Sequence, residues 1–302
     1  MFWGERHLDL FKRACFRSMN WPLNKASVPR GTIWNIYTKR EHFEELDRLF
    51  KDSGFQLQLF ELGESMRVAG CGMVPTRQCD AGVILLNGLR NDIAYSIQEK
   101  SKMLFAPPDT VFGDGSIYNL LSIGSGDGVC VSVAHPRVLP SVIEEIETLG
   151  ATRGSMTNAQ LVTLAMRYSH DSWKYAEIGH PQNNSYIGGI AWRELSRGLY
   201  SVSHRLPTPY LMDFTESDWS WWWGTVSFGA LDHTWPGERL IRQQRMRYVG
   251  SSDACFIAEI TDADKNVPPI VQENHRPRDD GYWGDGVHHA TNRLFNVIWR
   301  GE

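Results

Sequence analysis

Lys102-Met-Leu-Phe-Ala-Pro-Pro-Asp109-Thr-Val-Phe-Gly-Asp114-Gly-Ser116 begins as a short apolar run, Met103 to Ala106, and breaks on two prolines directly before an acid. An apolar run stopped by prolines reads as a buried strand that delivers the next residue, Asp109, to a mouth. Asp114 follows in a Gly113-Asp114-Gly115 turn, and Ser116 stands where it can cap a helix over Ile117 to Ile123. Taken locally, the same residues also describe a strand end, an Asx-type turn and a helix cap with no chemistry attached.

Working outward, Thr32 to Thr38 is β-branched and aromatic and predicts a strand. Phe43, Leu46, Leu49 and Phe50 then fall three and four apart on one helix face. Gly54 closes that helix, and Phe55 to Phe60 alternates as a second strand. A helix over Asp80 to Lys100, with Val83, Leu86, Leu89, Ile93 and Ile97 on one side, returns the chain to the opening stretch. The order strand, helix, strand, loop, helix, strand predicts an open α/β sheet, in which ligands bind outside the carboxyl ends of the strands.

Upstream, Leu8, Leu10, Phe11, Ala14 and Cys15 give one helical stripe before Pro22 and Pro29. Downstream, Gly128 to Ala134 predicts a strand ending at His135-Pro-Arg137, and Ser141 to Leu149 a helix. Beyond Gly150 the pattern changes to α+β. Thr157-Asn-Ala-Gln160 is a capping-box pattern before Leu161 to Arg167, and Ile190 to Glu194 with Leu199 to Ser203 reads as a hairpin. The expected organisation is an α/β half over 1–150 and an aromatic-rich α+β half over 151–302, sharing one core.

The formal net charge of -4 and the lack of a long Lys or Arg block argue against a dedicated polyanion binder, so no strong nucleic-acid signature is read. The run Arg239, Arg242, Arg245 and Arg247 is the local exception, either a solvated face or a seat for a phosphorylated acceptor. Five cysteines without metal-type spacing fit buried, reduced thiols. The N-terminal residues carry charge at Glu5, Arg6 and Asp9 and do not read as a signal peptide. No stretch approaches about 18 apolar residues, so the expectation is a cytoplasmic protein without a membrane span. Twelve tryptophans, four of them at Trp219, Trp221, Trp222 and Trp223, suit core packing as well as stacking on a sugar or base.

The N-terminal half resembles the nucleotide-binding half of GT-A glycosyltransferases, over roughly residues 30–140. The likeness rests on the opening step Ile33 to Phe50 and on an acid at the end of a strand that a helix precedes, Asp80 to Asp109. Asp109 matches the last acid of the family's Asp-x-Asp motif; Pro107 replaces the first, and Asp114 is the substitute nearby. The resemblance implies a GT-A-like open mixed sheet flanked by helices, a nucleoside-diphosphate-sugar donor and a hydroxyl acceptor. The acceptor would be a glycan, a lipid-linked glycan or modified nucleic acid. It implies donor contacts from Tyr37, Thr38, Arg90 and Asp109, and acceptor contacts from Trp222 and Trp223. In the tract Phe228 to Pro236, Asp232 is the expected base of an inverting transfer, with His233 as base or orienting group.

Such chemistry needs the leaving diphosphate neutralised, by Mn2+ or Mg2+ on carboxylates and phosphate oxygens or by an arginine clamp. Asp109, Asp114 and His288 are the expected metal ligands and Arg90 the clamp. The adjacent His288 and His289 also fit the polar face of a terminal helix running to Ile298. Two other readings remain. One is a nucleotide-sugar or carbohydrate-binding protein without turnover. The other is a metal hydrolase built on Asp232, His233, His275, His288 and His289, which lack a compact motif.

Overall fold

The computed structural model describes residues 4–62, 91–180, 190–204, 209–218, 240, 243–263 and 295–302. The chain opens with α1 (Glu5–Leu10), a π-helical segment (Phe11–Phe16) and α2 (Arg17–Met19), followed by α3 (Pro22–Ser27) with its proline at the first turn. Leu8, Leu10, Phe11, Ala14 and Cys15 are all buried, as their spacing predicts. The wide π turn also brings Phe16 inward, so one helical path buries a broader face than a plain α-helix would.

β1 (Ile33–Thr38) and β2 (Gln56–Glu61) pair in parallel and are joined through a short 3-10 turn (Arg40–His42) and α4 (Phe43–Phe50). Leu46 and Phe50 fill the buried face of α4. The N-terminal helices pack on this unit through aromatic rings: Phe11 stacks on Phe50 at 6.2 Å, and Phe16 lies 4.7 Å from the same ring. Residues 91–98 are helical, and Ile93 of that stretch is buried. The earlier part of the helix expected over Asp80 to Lys100 lies outside the described residues.

The remaining elements, in order, are β3 (Met103–Leu104), β4 (Thr110–Phe112), α5 (Ser116–Ile123), β5 (Cys130–Ser132), β6 (Arg137–Val138), α6 (Val142–Arg153), α7 (Asn158–Arg167) and α8 (Asp171–Lys174). They are followed by β7 (Ile190–Ser196), β8 (Leu199–His204), β9 (Pro209–Met212), β10 (Met246–Tyr248), β11 (Ile257–Ile260) and β12 (Phe295–Arg300). The Thr157 and Gln160 capping box forms with both reciprocal hydrogen bonds. β7 and β8 pair antiparallel as the expected hairpin.

The result is a mixed α/β fold with several open sheets. One has the order β10-β5-β9-β3 and another β4-β11-β6, so strands from before and after residue 150 alternate within both. β12 adds to the hairpin in the order β12-β8-β7. The C-terminal helix expected to end at Ile298 is corrected here: residues 295–300 are a strand antiparallel to β8. Alternating Val297 and Trp299 reach the core, where Trp299 stacks on Trp173 at 5.3 Å and Trp173 on Trp192 at 6.2 Å. Cross-strand burial outweighs the helical spacing that the stretch also carries. Among the described residues no helix is long and apolar enough to cross a membrane.

Candidate functional site

The opening stretch folds as a strand, a proline turn and a second strand. β3 pairs with β9, and Phe105 continues that pairing by donating to Tyr210 O at 2.7 Å. Pro107 and Pro108 then force a turn, closed by Thr110 N donating to Pro107 O at 3.1 Å, and Asp109 sits in it directly before β4. The backbone carbonyl of Asp109 accepts from Ile260 N at 2.7 Å, which pins the turn to the end of β11. Underneath lies the π-helical segment, whose Cys15 Sγ is 3.9 Å from Ala106 O. Burial, and then the charge of Asp109, push that thiol up.

Asp109 and Glu259 act on one buried group. Tyr210 of β9 is buried and meets the His135 ring edge-on at 5.4 Å. Burial pushes its phenol well above the ordinary range, and the charges of Glu259 and Asp109 add to the rise. Glu259 stands opposite Thr110 of β4 and opposite Arg137 of β6 in its two strand pairings. Its carboxylate is 3.2 Å from His135 Nε2, accepts from Thr261 Oγ1 at 3.2 Å and lies 3.4 Å from Arg137 Nε.

Burial raises the pKa of Glu259, but the His135 hydrogen bond and charge, Arg137 and Thr261 together outweigh it and hold the carboxyl at about 2. The side chains of His135, Glu259 and Arg137 are 14 %, 26 % and 34 % exposed, a gradation from wall to solvent. The arrangement is a polar, mixed-charge cluster where β4, β11 and β6 pair. Arg137, the most exposed of the three, is the cation that can meet an anionic ligand. Sequence reading did not single out Glu259, His135, Arg137 or Tyr210 as a site. The available signals were His135-Pro-Arg137 at a strand end and a lone acid in the apolar run Phe256-Ile-Ala-Glu259-Ile.

Asp114 is placed elsewhere. It lies beyond the opposite end of β4 from Asp109, and its Oδ1 accepts from Leu23 N at 2.9 Å and Asn24 N at 3.0 Å. That carboxylate caps the first turn of α3. The turn itself needs both glycines: a Cβ on Gly113 would sit 1.9 Å from Asn158 Oδ1, and Gly115 has φ +94°. Ser116, expected as a cap, is instead the first residue of α5. Its hydroxyl lies 2.9 Å from Asn158 Oδ1 and 3.2 Å from Phe256 O, because burial between α5 and α7 gives it closer acceptors.

Tyr37 and Thr38 occupy the carboxyl end of β1, as expected, but both are buried. Tyr37 stacks on Phe60 at 4.7 Å and donates its hydroxyl to Asp92 Oδ1 at 2.9 Å, while Asn35 Nδ2 donates to the same oxygen at 2.7 Å. Burial raises the pKa of Asp92 more than these neutral donors lower it. Thr38 Oγ1 and Asn35 Oδ1 are buried without hydrogen-bond partners among the described residues. Of the basic run, Arg245 is committed to structure: it grips Asp218 with both Nη atoms, at 2.9 and 2.8 Å, and donates to Gly128 O at 2.6 Å. Arg90, Trp222, Trp223, Asp232, His233 and His288 lie outside the described residues. Among those described, the group of three potential metal-ligating side chains is Glu5, Glu41 and His42, and it does not include Asp109.

Comparison of the chain with protein-family models, with curated proteins and with solved structures finds no match.

Proposed function

We propose that the chain is a glycosyltransferase of GT-A type that moves a sugar from a nucleoside-diphosphate donor to a hydroxyl acceptor. What carries the reading is the cluster of Glu259, His135 and Arg137, with Asp109 near enough to act together with Glu259 on buried Tyr210. The parallel β1-α4-β2 step supports it, because open sheets of this kind bind ligands past the carboxyl ends of their strands. Tyr37 and Thr38 shape the donor side from within, with Tyr37 setting the position of Asp92.

Departure of a nucleoside diphosphate builds negative charge on the leaving oxygen. In this reading Arg137, one-third exposed, is the cation that meets that charge, His135 beside it is a hydrogen-bonding group, and Glu259 orients both. Glu259 itself, held at about 2, stays ionised and is a poor proton acceptor at neutral pH, so its part is orientation. Asp109 fits a hard cation that completes its shell with phosphate oxygens and water, and such an ion would supply further charge neutralisation. The acceptor base in this reading is Asp232 or His233.

Thermal melting against a panel of UDP- and GDP-sugars, with and without Mn2+, tests the proposal. The expected result is a rise of roughly 2–4 °C at saturating donor, larger with Mn2+ and lost in Asp109→Ala. A flat response across the panel, or an Asp109→Ala protein that responds as the parent does, overturns it. The second reading, donor binding without turnover, is favoured by Asp114 spending its carboxylate on α3 while Pro107 replaces the other acid. It is chosen if the donor binds and no labelled sugar is transferred or hydrolysed.

A further inference from the structure

His42 closes the 3-10 turn after β1. It is 2 % exposed, yet among the described residues its Nε2 has no hydrogen-bond partner. A buried ring nitrogen in that state has left water without compensation. Two carboxylates face the ring: Glu5 Oε1 of α1 lies 3.6 Å from Nδ1, and Glu41 Oε1 lies 3.9 Å from Nε2. Both separations exceed hydrogen-bond reach. The ligand atoms offered by Glu5, Glu41 and His42 nonetheless all lie within 4.8 Å of one another.

Donors around a tetrahedral ion with bonds of about 2.0–2.1 Å stand roughly 3.3–3.5 Å apart. An imidazole gives one nitrogen to an ion, here the unpartnered Nε2; Glu41 already faces that nitrogen, and Glu5, now nearer Nδ1, would swing round to join the same shell. The groups that must move are the exposed ones, Glu5 at 81 % and Glu41 at 60 %, while the buried imidazole stays fixed.

The geometry points to a divalent-cation site of the zinc class at Glu5, Glu41 and His42, with its remaining position open to water. An imidazole with two carboxylates suits a borderline ion better than Mg2+ or Ca2+, which prefer all-oxygen shells. The neighbouring cations do not block it. Arg40 is turned to Glu61 at 3.6 Å, and Lys39, 3.1 Å from Glu41 Oε1, forms an exposed and screened pair that a divalent ion displaces. An ion here would tie the start of α1 to the β1-α4 step. Arg6, the next residue, already pairs with Asp262 beyond β11. The site is separate from Asp109 and does not depend on the glycosyltransferase reading.

The test titrates the metal-free full chain with Zn2+ against a competing chromophoric chelator. The Glu5→Gln/Glu41→Gln variant is expected to bind one zinc equivalent fewer than the parent, with a metal-free melting temperature within about 1 °C of it because both side chains are exposed. His42→Ala is expected to lose the same equivalent and Asp109→Ala to keep it. X-ray absorption of the zinc-loaded parent is expected to show one nitrogen with oxygens at about 2.0–2.1 Å. No zinc bound by the parent, an unchanged stoichiometry in the double variant, or loss of the equivalent on Asp109→Ala overturns the site.

Discussion

Glu259 and Asp92 are both carboxylates drawn out of water near strand ends, and they respond in opposite directions. Glu259 faces His135 and Arg137 and is held at about 2, below its ordinary 4.5. Among the described residues Asp92 accepts from Asn35 and Tyr37, and it is pushed above its ordinary 3.8. Burial is the first influence on both, so burial alone does not decide the charge. What decides it is whether the partners are cations, which reward ionisation, or neutral donors, which do so less than desolvation penalises it. One region is therefore organised around permanent charge and the other around a carboxyl whose charge is costly.

The comparison breaks most visibly at Glu259. Glu259→Gln is expected to lose about 2–3 kcal/mol of stability at pH 7, because the partly buried Arg137 loses the charge that offset its burial and His135 loses its carboxylate partner. Since the folded pKa lies below the unfolded one, the stabilisation is fully present above about pH 4.5 and is lost as the pH falls through about 2. Urea midpoints of parent and variant are expected to converge at acid pH. A difference that persists there would mean that packing, not charge, is what the substitution removed.

Tyr37→Phe is expected to cost about 1–2 kcal/mol, the loss of a hydrogen bond to a buried carboxyl, and to raise Asp92 further. Carboxyl-carbon NMR of Asp92 across pH checks it. A downward move of Asp92 would show that the hydroxyl was not holding the ionised form.

Arg137→Ala is expected to cost less, about 0.5–1 kcal/mol, because that side chain is one-third exposed and screened. Its diagnostic effect is a rise in the Glu259 pKa. Smallest of all is Asp92→Asn, expected within about 0.5 kcal/mol of the parent at pH 7. An amide keeps an acceptor for Tyr37 and Asn35, removes a charge that burial penalises, and brings N–H donors beside the unpartnered Asn35 Oδ1. The cost of ionising Asp92 is absent below its ordinary 3.8 and grows as the pH rises through its raised folded value, so any stabilisation by Asn is expected to grow the same way. A loss as large as that of Glu259→Gln would remove the distinction between the two regions.

Local chemistry was legible where neighbours in sequence settle it. The capping box at Thr157 and Gln160, the β1-α4-β2 step and the hairpin at 190–204 each follow from residues close together in the chain. The proline turn that holds Asp109 was legible for the same reason, since two prolines leave few other conformations, but β3 stops at Leu104 and Asp109 stands directly before β4 and not at a strand's end. The acid pair of the opening stretch was not, because Asp114 is claimed by Leu23 and Asn24, residues on a distant helix. The His135 and Glu259 contact was equally hidden, since it depends on β11 inserting between β4 and β6. His42 gave no sign of its partner Glu5, which reaches it from the other side of β1 in the chain.

The sequence by itself determined the β1-α4-β2 step, the hairpin and the capped α7, the proline turn that holds Asp109, and the burial of the N-terminal stripe, because propensity, periodicity and turn chemistry act over a few residues. The helix expected at the C-terminus is a strand, chosen by its pairing with β8. Only the tertiary structure decided which acids do what. Strand order and helix docking choose the partners of Asp109, Asp114, Asp92 and Glu259. A carboxylate's charge and role follow from those partners, which no local pattern encodes.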